Sequence, residues 1–87
     1  MIDYSLVEEL GFVKEVSPDK VYERQYGREY WYMVFSAHIT VMGATNILTF
    51  TWDCDVRDVT VHKNETELVA VFTDAGEFKK FFKMFQT

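Results

Sequence analysis

The strongest constraint on the fold is an alternation of apolar and polar residues that runs through two neighbouring segments. Every second residue of 29–41 is apolar, and the same period resumes after a turn predicted at 43–46. Side chains of a β-strand alternate between the two faces of a sheet, so this period predicts two strands that each bury one face. The apolar face comprises Trp31, Met33, Phe35, Ala37, Ile39 and Val41 in the first strand and Leu48, Phe50, Trp52, Cys54 and Val56 in the second.

A hairpin is predicted before this pair of strands. Ser17-Pro18-Asp19-Lys20 has the composition of a type I turn, with serine first and proline second. The residues on either side, 12–16 and Val21–Tyr26, are therefore expected to pair as antiparallel strands.

After the second long strand the alternation shifts by one residue. Val56 belongs to the even-numbered apolar set, whereas Val59 is odd-numbered. A one-residue shift would turn the wrong face inward, so a bulge or turn is predicted near Arg57-Asp58. Strands are expected over 59–63 and 68–73, and the second of these, apolar on both faces, is predicted to be central.

Both ends of the chain predict helices. Asp3 is a candidate N-cap, and Ile2 and Val7 have the spacing of a hydrophobic staple. Near the other end, Asp74 and Glu77 have the spacing of a capping box. Four phenylalanines then recur on one helical face: Phe78, Phe81, Phe82 and Phe85.

These elements predict an α+β fold. We expect a single small domain, residues 1–87, with a twisted antiparallel sheet of five or six strands and a short N-terminal and a C-terminal helix packed on it. The chain is 48% hydrophobic and 17% aromatic, which is enough to form a dense core at this length. The expected core comprises Leu10, Trp31, Met33, Phe35, Ile39, Leu48, Phe50, Trp52, Phe78, Phe81, Phe82 and Phe85.

Charge and composition limit the partners and the location of the protein. The net charge of -5 disfavours bulk attraction to nucleic acid or to an anionic membrane. No apolar run reaches the length of about 18–20 residues that a membrane span needs, and no basic leader follows Met1. The single cysteine, Cys54, cannot form an internal disulfide. We therefore expect a cytoplasmic, intracellular protein with no membrane partner.

The stretch FTWDCDVRD, residues 50–58, brings three carboxylates close to the cysteine in sequence. In a strand Asp53 and Asp55 share one face and Cys54 points to the other, so the cysteine is predicted to be a buried, inert thiol. An EF-hand loop is excluded because Arg57 and Asp58 occupy positions that need other residues. The aspartates remain open to three interpretations: solvated turn residues, an acidic docking surface or a shared divalent cation.

Catalytic and metal-binding motifs are not apparent. His38 and His62 are the only histidines, and their spacing from Cys54 matches no zinc motif and no local nucleophile signature. The four glycines are isolated, so no phosphate-binding loop is present. We expect no enzymatic activity, no cofactor and no structural metal.

The stretch VYERQYGREYWY, residues 21–32, interleaves tyrosines with arginines. In the predicted strands, Tyr22, Arg24 and Tyr26 share one face, and Tyr30 shares the outer face of the next strand with Tyr32. Tyrosine and arginine are enriched at interface hot spots, and aromatics between arginines also occur in single-strand stacking platforms. The alternative is that these tyrosines only pair across a hairpin and pack.

The sequence therefore favours a small acidic protein-binding module. In size and composition it resembles small phage or mobile-element proteins that bind and inhibit a host machine. We expect it to dock on a protein with a basic surface, such as a nucleic-acid-binding cleft, and to block that surface as an inhibitor or adaptor that partly mimics nucleic acid. The expected partner-binding residues are Asp53, Asp55, Asp58, Glu65, Glu67, Tyr22, Arg24, Tyr26 and Tyr30.

Two other functions remain open. The first is a nucleic-acid-binding module that uses Arg24, Arg28, Tyr26, Tyr30 and Trp31 with Lys79, Lys80 and Lys83. The second is a structural or assembly subunit, including a homodimer, that pairs through a sheet edge such as the one expected at Arg24, Tyr26 and Tyr30.

Overall fold

Five antiparallel strands in sequential order form one sheet, as the alternation predicts, and helices flank it. The structure is a computed structural model, and it describes residues 1–85. Its elements are α1 (Tyr4–Glu9), β1 (Val13–Val16), α2 (Lys20–Tyr26), β2 (Trp31–Val41), β3 (Ala44–Asp53), β4 (Val59–Lys63), β5 (Glu67–Phe72), α3 (Ala75–Phe82) and a 3₁₀ turn (Lys83–Phe85). The strand order is β1-β2-β3-β4-β5, so the α+β class and the two terminal helices are confirmed.

The two long strands β2 and β3 form the centre of the sheet. They pair from Tyr32 opposite Asp53 to Val41 opposite Ala44. The connecting residues Met42 and Gly43 both have positive φ, 52° and 82°, which is the conformation of a two-residue type I′ turn. The turn is therefore shorter than the predicted one and begins one residue earlier.

The core lies between one face of the sheet and the helices α1 and α3. Six residues of the expected core are buried: Met33, Leu48, Phe50, Trp52, Phe78 and Phe82. The other six are half-buried against it: Leu10, Trp31, Phe35, Ile39, Phe81 and Phe85. Five more residues are buried that the expected core does not include: Ile2, Val7, Phe12, Val59 and Val61. The staple predicted from Ile2 and Val7 accordingly holds the N-terminal segment against the sheet.

The predicted strand Val21–Tyr26 is wrong, because this segment is the helix α2. The side chain of Asp19 accepts hydrogen bonds from the backbone N–H groups of Val21 at 3.0 Å and Tyr22 at 3.4 Å, which caps the helix. Gly27, with φ of 70°, ends it in the left-handed conformation. Val21 is 68% exposed, so no buried face required a strand here. The sheet consequently has five strands, not six.

The prediction that the last strand is central is also wrong. β5 is an edge strand that pairs only with β4, and Leu68, Val69 and Val71 are exposed on it. Strand order in a meander follows the connections between strands, and the composition of one strand does not determine it. A bulge between Val61 and His62 shifts the register of this pair.

The irregularity predicted near Arg57-Asp58 is confirmed. β3 ends at Asp53, a turn occupies Cys54–Val56, and Arg57 has a positive φ of 57°. The turn allows the odd-numbered Val59 to face the core. It also removes Cys54 and Asp55 from the strand in which the alternation had placed them.

Within residues 1–85, none of the helices combines the length and the apolar character that a membrane crossing requires.

Candidate functional site

A network of polar side chains joins α2 and the residues after it to the turn between β3 and β4. The Tyr22 hydroxyl donates a hydrogen bond to Oδ2 of Asp55 at 2.5 Å, and Arg28 Nη2 contacts Oδ1 of the same carboxylate at 2.6 Å. The Tyr30 hydroxyl donates to Oδ2 of Asp53. Two aromatic hydroxyls and one guanidinium therefore bind two carboxylates that lie two residues apart.

Asp53 also builds the turn that presents Asp55. Its Oδ1 accepts the backbone N–H groups of Asp55 at 2.7 Å and Val56 at 3.1 Å. Its backbone carbonyl accepts from the N–H of Arg57 at 2.8 Å. An aspartate at the start of a tight turn commonly bonds to the backbone in this way. Asp53 therefore fixes the geometry of the turn and is only partly available to a partner.

Four tyrosine rings contact one another in a row beside this network, and we call Tyr22, Tyr26, Tyr30 and Tyr32 the tyrosine cluster. Ring centroids are 4.6 Å apart for Tyr26 and Tyr22, 5.1 Å for Tyr22 and Tyr30, and 6.0 Å for Tyr30 and Tyr32. The guanidinium carbon of Arg28 lies 5.7 Å from the centre of the Tyr22 ring. Tyr26, at one end of the row, is 56% exposed. Hydrogen bonds thus hold the inner rings of the cluster in place, and the ring at its outer end is exposed to solvent.

The contacts shift the acid–base behaviour of the network. The hydrogen bond to Asp55 raises the pKa of Tyr22 to about 12, because ionisation would remove the proton that the hydroxyl donates. Burial, followed by the hydrogen bond to Asp53, raises the pKa of Tyr30. The hydrogen bond from Tyr22, followed by that from Arg28, lowers the pKa of Asp55. Each shift favours a neutral tyrosine beside a charged aspartate.

Alkaline titration tests this network. The pKa of Tyr22 in the folded chain lies above its ordinary value of 10.0, so the stability it contributes is full below about pH 10 and is lost as the pH rises through about 12. Asp55→Ala should return the ionisation of Tyr22 towards pH 10, measured as tyrosinate absorbance. Asp58→Ala, three residues away, should leave the curve unchanged. Superimposable curves for wild type and Asp55→Ala would contradict the network.

The structure corrects the prediction for Cys54. The thiol packs against the core, but it is only half-buried where a buried thiol was predicted, and it is not separated from the carboxylates. Its Sγ lies 3.8 Å from Oδ1 of Asp55 and 4.0 Å from Nη1 of Arg28. The turn, rather than a strand, gathers one ligand atom from each of Asp53, Cys54 and Asp55 within 4.8 Å of one another.

The proximity of these three ligand atoms does not change the expectation that no metal stabilises the fold. The guanidinium of Arg28 already bonds the Asp55 carboxylate, and Asp53 already accepts from Tyr30 and from the backbone. A cation would have to displace a positive charge and several hydrogen bonds. We expect the melting temperature to be the same with chelator and with added Ca²⁺ or Zn²⁺. A rise of several degrees with either ion would contradict this, because a ligand that binds only the native state must stabilise it.

The structure does not bring the five expected acidic residues together. Asp58 lies beside Asp53 and Asp55, and the backbone N–H of Asp53 donates to its carbonyl. Glu65 lies in the turn that follows β4, and Glu67 begins β5, so both are at the opposite end of β4. Six residues of extended chain separate the two groups, which is roughly 20 Å. The site therefore keeps only three of its five predicted carboxylates.

The residues of the nucleic-acid alternative are divided between two faces of the sheet. Tyr30 contacts Tyr32 on the face opposite α3, and Tyr26 joins them through Tyr22. Lys79, Lys80 and Lys83 lie on α3 and the turn after it. Trp31 packs on Trp52 at 5.5 Å and on Tyr4 at 5.6 Å, so it belongs to the core side. Arg28 is bound to Asp55. Arg24 lies on α2 two residues from both Tyr22 and Tyr26, and residues two apart point to different sides of a helix. The prediction that Tyr22, Arg24 and Tyr26 share one face is therefore wrong for Arg24.

Sequence reasoning missed the contact between the two motifs. It placed Tyr22 and Asp55 in one candidate set but on separate surfaces, and it assigned Arg28 only to nucleic acid. The signal that could have joined them is the cap: Asp19 with Gly27 eight residues later brackets a helix of two turns. A helix there, instead of a strand, releases the segment from the sheet and lets it fold over the turn after β3.

Comparisons with models of protein families, with curated proteins and with solved structures find no match to this chain.

Proposed function

We propose that this chain is a small protein-binding module, an inhibitor or adaptor, that docks through the tyrosine cluster and the aspartate turn beside it. The observation that carries the proposal is that the tyrosine cluster is both held in place and partly exposed. Hydrogen bonds to Asp53 and Asp55 hold its inner rings in place, while Tyr26 is 56% exposed at its outer end. This is an aromatic surface that is already ordered before any partner arrives.

Such a surface suits a protein partner for energetic reasons. Tyrosine and arginine carry much of the binding energy in protein interfaces, because they combine a large apolar area with hydrogen-bonding groups. A side chain that is already fixed loses less conformational entropy on binding. Tyr26, at the exposed end of the cluster, is therefore the residue from which we expect the largest contribution.

The charge around the cluster favours a partner with a basic surface. The segments 15–32 and 53–58 together contain seven acidic and four basic residues, a balance of −3, within a chain of net charge -5. Complementary charge speeds association and selects among partners. It also disfavours direct binding of nucleic acid, whose backbone is negatively charged.

The narrower form of this proposal is an intracellular inhibitor of the phage or mobile-element type that occupies a nucleic-acid-binding cleft. Asp53 and Asp55 already bond Tyr30, Tyr22 and Arg28, so they present less free charge than isolated carboxylates. Duplex DNA carries one charge per about 1.7 Å of its axis, and the density of negative charge on this turn is far lower. Local competition for a basic groove is therefore favoured over full mimicry.

Two matched pairs of variants test the docking surface by capture of partners from lysate, with and without nuclease treatment. Tyr26→Ala removes the exposed ring, and Val21→Ala changes an equally exposed residue of the same helix outside the cluster. Asp58→Lys reverses a charge beside the aspartate turn, and Glu65→Lys makes the same change at the far end of β4. We expect capture to be lost with Tyr26→Ala and Asp58→Lys and kept with the two controls.

The measured affinity for the captured partner completes the test. Truncation of an interface hot spot costs about 2 kcal/mol or more, so Tyr26→Ala should weaken binding roughly 30-fold. Equal loss with Val21→Ala, or retention of nucleic acid in place of a protein, would refute the proposal. Loss with Glu65→Lys but not Asp58→Lys would move the docking surface to the other end of β4.

A further inference from the structure

More than half of β2 has no neighbouring strand on its outer edge. β1 pairs only with the first four residues of β2, from Trp31 to Val34. The remainder, Phe35–Val41, pairs with β3 on one side, and in the described chain no other strand lies on the other side. An edge of this length exposes a row of backbone donors and acceptors that can pair with a further strand.

The turn after β2 determines which backbone groups face this free edge. A two-residue turn makes Val41 and Ala44 a hydrogen-bonded pair, and such pairs recur at every second residue of an antiparallel ladder. The odd-numbered residues 35–41 therefore direct their N–H and C=O groups to β3. Ser36, His38 and Thr40 direct theirs outward, and no other backbone hydrogen bond among residues 1–85 uses them.

Two hollows lie along the free edge, one with a mixed polar and apolar lining and one that is mainly apolar. A groove of about 470 Å³ runs between residues 35–40 and the pair Met84 and Phe85. A second hollow, of about 270 Å³, lies at the end of the same hairpin against Ile39, Val41, Met42 and Leu48. Val41 and Met42 are exposed there. The hairpin thus extends beyond its own core with an uncovered apolar end.

We propose that two copies of this chain pair through this edge, antiparallel, with the two-fold axis at His38. The pairing joins the two five-stranded sheets into one continuous sheet. The free segment is self-complementary about that point: Phe35 meets Val41 of the other copy and Ala37 meets Ile39 on the apolar face. On the polar face Ser36 meets Thr40, and His38 meets His38.

The edge permits no other register of comparable quality. The two-fold axis can pass between two residues whose backbone groups point outward, or between two residues whose groups point to β3, because both kinds of pair occur in an antiparallel ladder. An axis at Ser36 or Ala37 would place the incoming strand against β1. An axis at Ile39 or Thr40 would leave Ser36 opposite the turn at Met42 or beyond it. Only the axis at His38 pairs all the outward N–H and C=O groups of both copies.

The absence of charged side chains along the segment permits a second copy as the occupant. Each chain has a net charge of -5, yet residues 35–41 contain no aspartate, glutamate, lysine or arginine. The only titratable group in the segment is His38, and it lies on the axis. The side chains beside it on its face of the described sheet do not ionise: Ser36, Thr40, Thr45, Ile47 and Thr49.

This pairing is independent of the proposed docking surface. The tyrosine cluster lies at the start of β2, before the segment that pairs, so failure of either proposal leaves the other standing. It replaces the edge expected from sequence at Arg24, Tyr26 and Tyr30, which is now a helix and a loop.

Engineered disulfides test the register. In a Cys54→Ala background, His38→Cys places two thiols on the axis, where the Cα atoms of a hydrogen-bonded pair are about 5.5 Å apart, within the range of a disulfide. Ser36→Cys places them four residues apart along the strand, roughly 14 Å, which is too far. With diamide as oxidant at high micromolar protein, we expect covalent dimer from His38→Cys and none from Ser36→Cys. Equal yields from the two variants would overturn the register.

Variants of the residue on the axis provide the second test. We expect a wild-type dimer at pH 8 by light scattering. His38→Lys would place two positive charges face to face at the axis, so its dissociation constant should be on the order of tenfold higher. His38→Thr should dimerise as the wild type does. A wild-type monomer at pH 8 and high micromolar concentration would refute the dimer.

Discussion

Replacing Phe82 by alanine should lower the free energy of unfolding by about 3–5 kcal/mol. The side chain is 1% exposed, and its ring lies at the centre of the aromatic core. Ring centroids are 4.9 Å away for Phe35, 5.2 Å for Phe50, 5.4 Å for Phe78 and 5.7 Å for Phe12. These rings come from the sheet, from α3 and from the segment between α1 and β1, so the cavity left by the truncation cannot be filled by one local shift.

Urea unfolding followed by fluorescence measures this loss. A domain of this length has a total stability of about 4–13 kcal/mol, so the variant is expected to be close to its unfolding limit. Met84→Ala is the matched control, since it also shortens a large side chain near the end of α3 but at a position 74% exposed. A loss below about 1 kcal/mol for Phe82→Ala would show that this ring does not hold α3 to the sheet.

Replacing Trp52 by phenylalanine should lower the free energy of unfolding by about 2–4 kcal/mol. Trp52 is 1% exposed, and its indole Nε1–H donates a hydrogen bond of 2.7 Å to the backbone carbonyl of Ile2. Phenylalanine is smaller and has no donor, so it leaves both a small cavity and an unpaired carbonyl on a fully buried residue. Of these two effects, the unpaired carbonyl alone lowers the free energy of unfolding by about 1–3 kcal/mol.

Trp31→Phe is the matched control for this change. Trp31 packs on Trp52, but it is half-buried and makes no hydrogen bond through its indole nitrogen among the described residues. It should lose much less stability in the same urea titration. Equal losses for the two variants would show that the hydrogen bond to Ile2 contributes nothing. Loss of protection from proteolysis at the N-terminal segment in Trp52→Phe alone would support its role.

The alternation in β2 and β3 and the spacing of the phenylalanines in α3 were sufficient to predict the core of the fold. Met33, Phe50 and Trp52 are buried on one face, and Phe78 and Phe82 pack against them. These patterns are local: within one strand or helix, burial of one side imposes its own period on the sequence. The same argument located the irregularity near Arg57, because a change of period must coincide with a change of backbone direction.

Helix α2 shows where the local pattern was ambiguous. In a strand Tyr22 and Tyr26 would lie on the same face, because they are four residues apart. In a helix they would also lie on one face, about one turn apart. With Val21 exposed and no apolar face to bury, periodicity could not decide between the two. The cap at Asp19 and the left-handed Gly27 did decide, and both signals were in the sequence.

The sequence by itself determined the strands β2 and β3, the helix α3 and the acidic character of the chain, because each depends on residues that are neighbours along the chain. Only the tertiary structure decided that β5 is an edge, that Ile2 lies under Trp52, and that Tyr22 and Asp55 share a hydrogen bond. Ile2 and Trp52 are 50 positions apart in the sequence, and Tyr22 and Asp55 are 33 positions apart. Such contacts depend on strand order and register, which several segments fix together when they bury one common core.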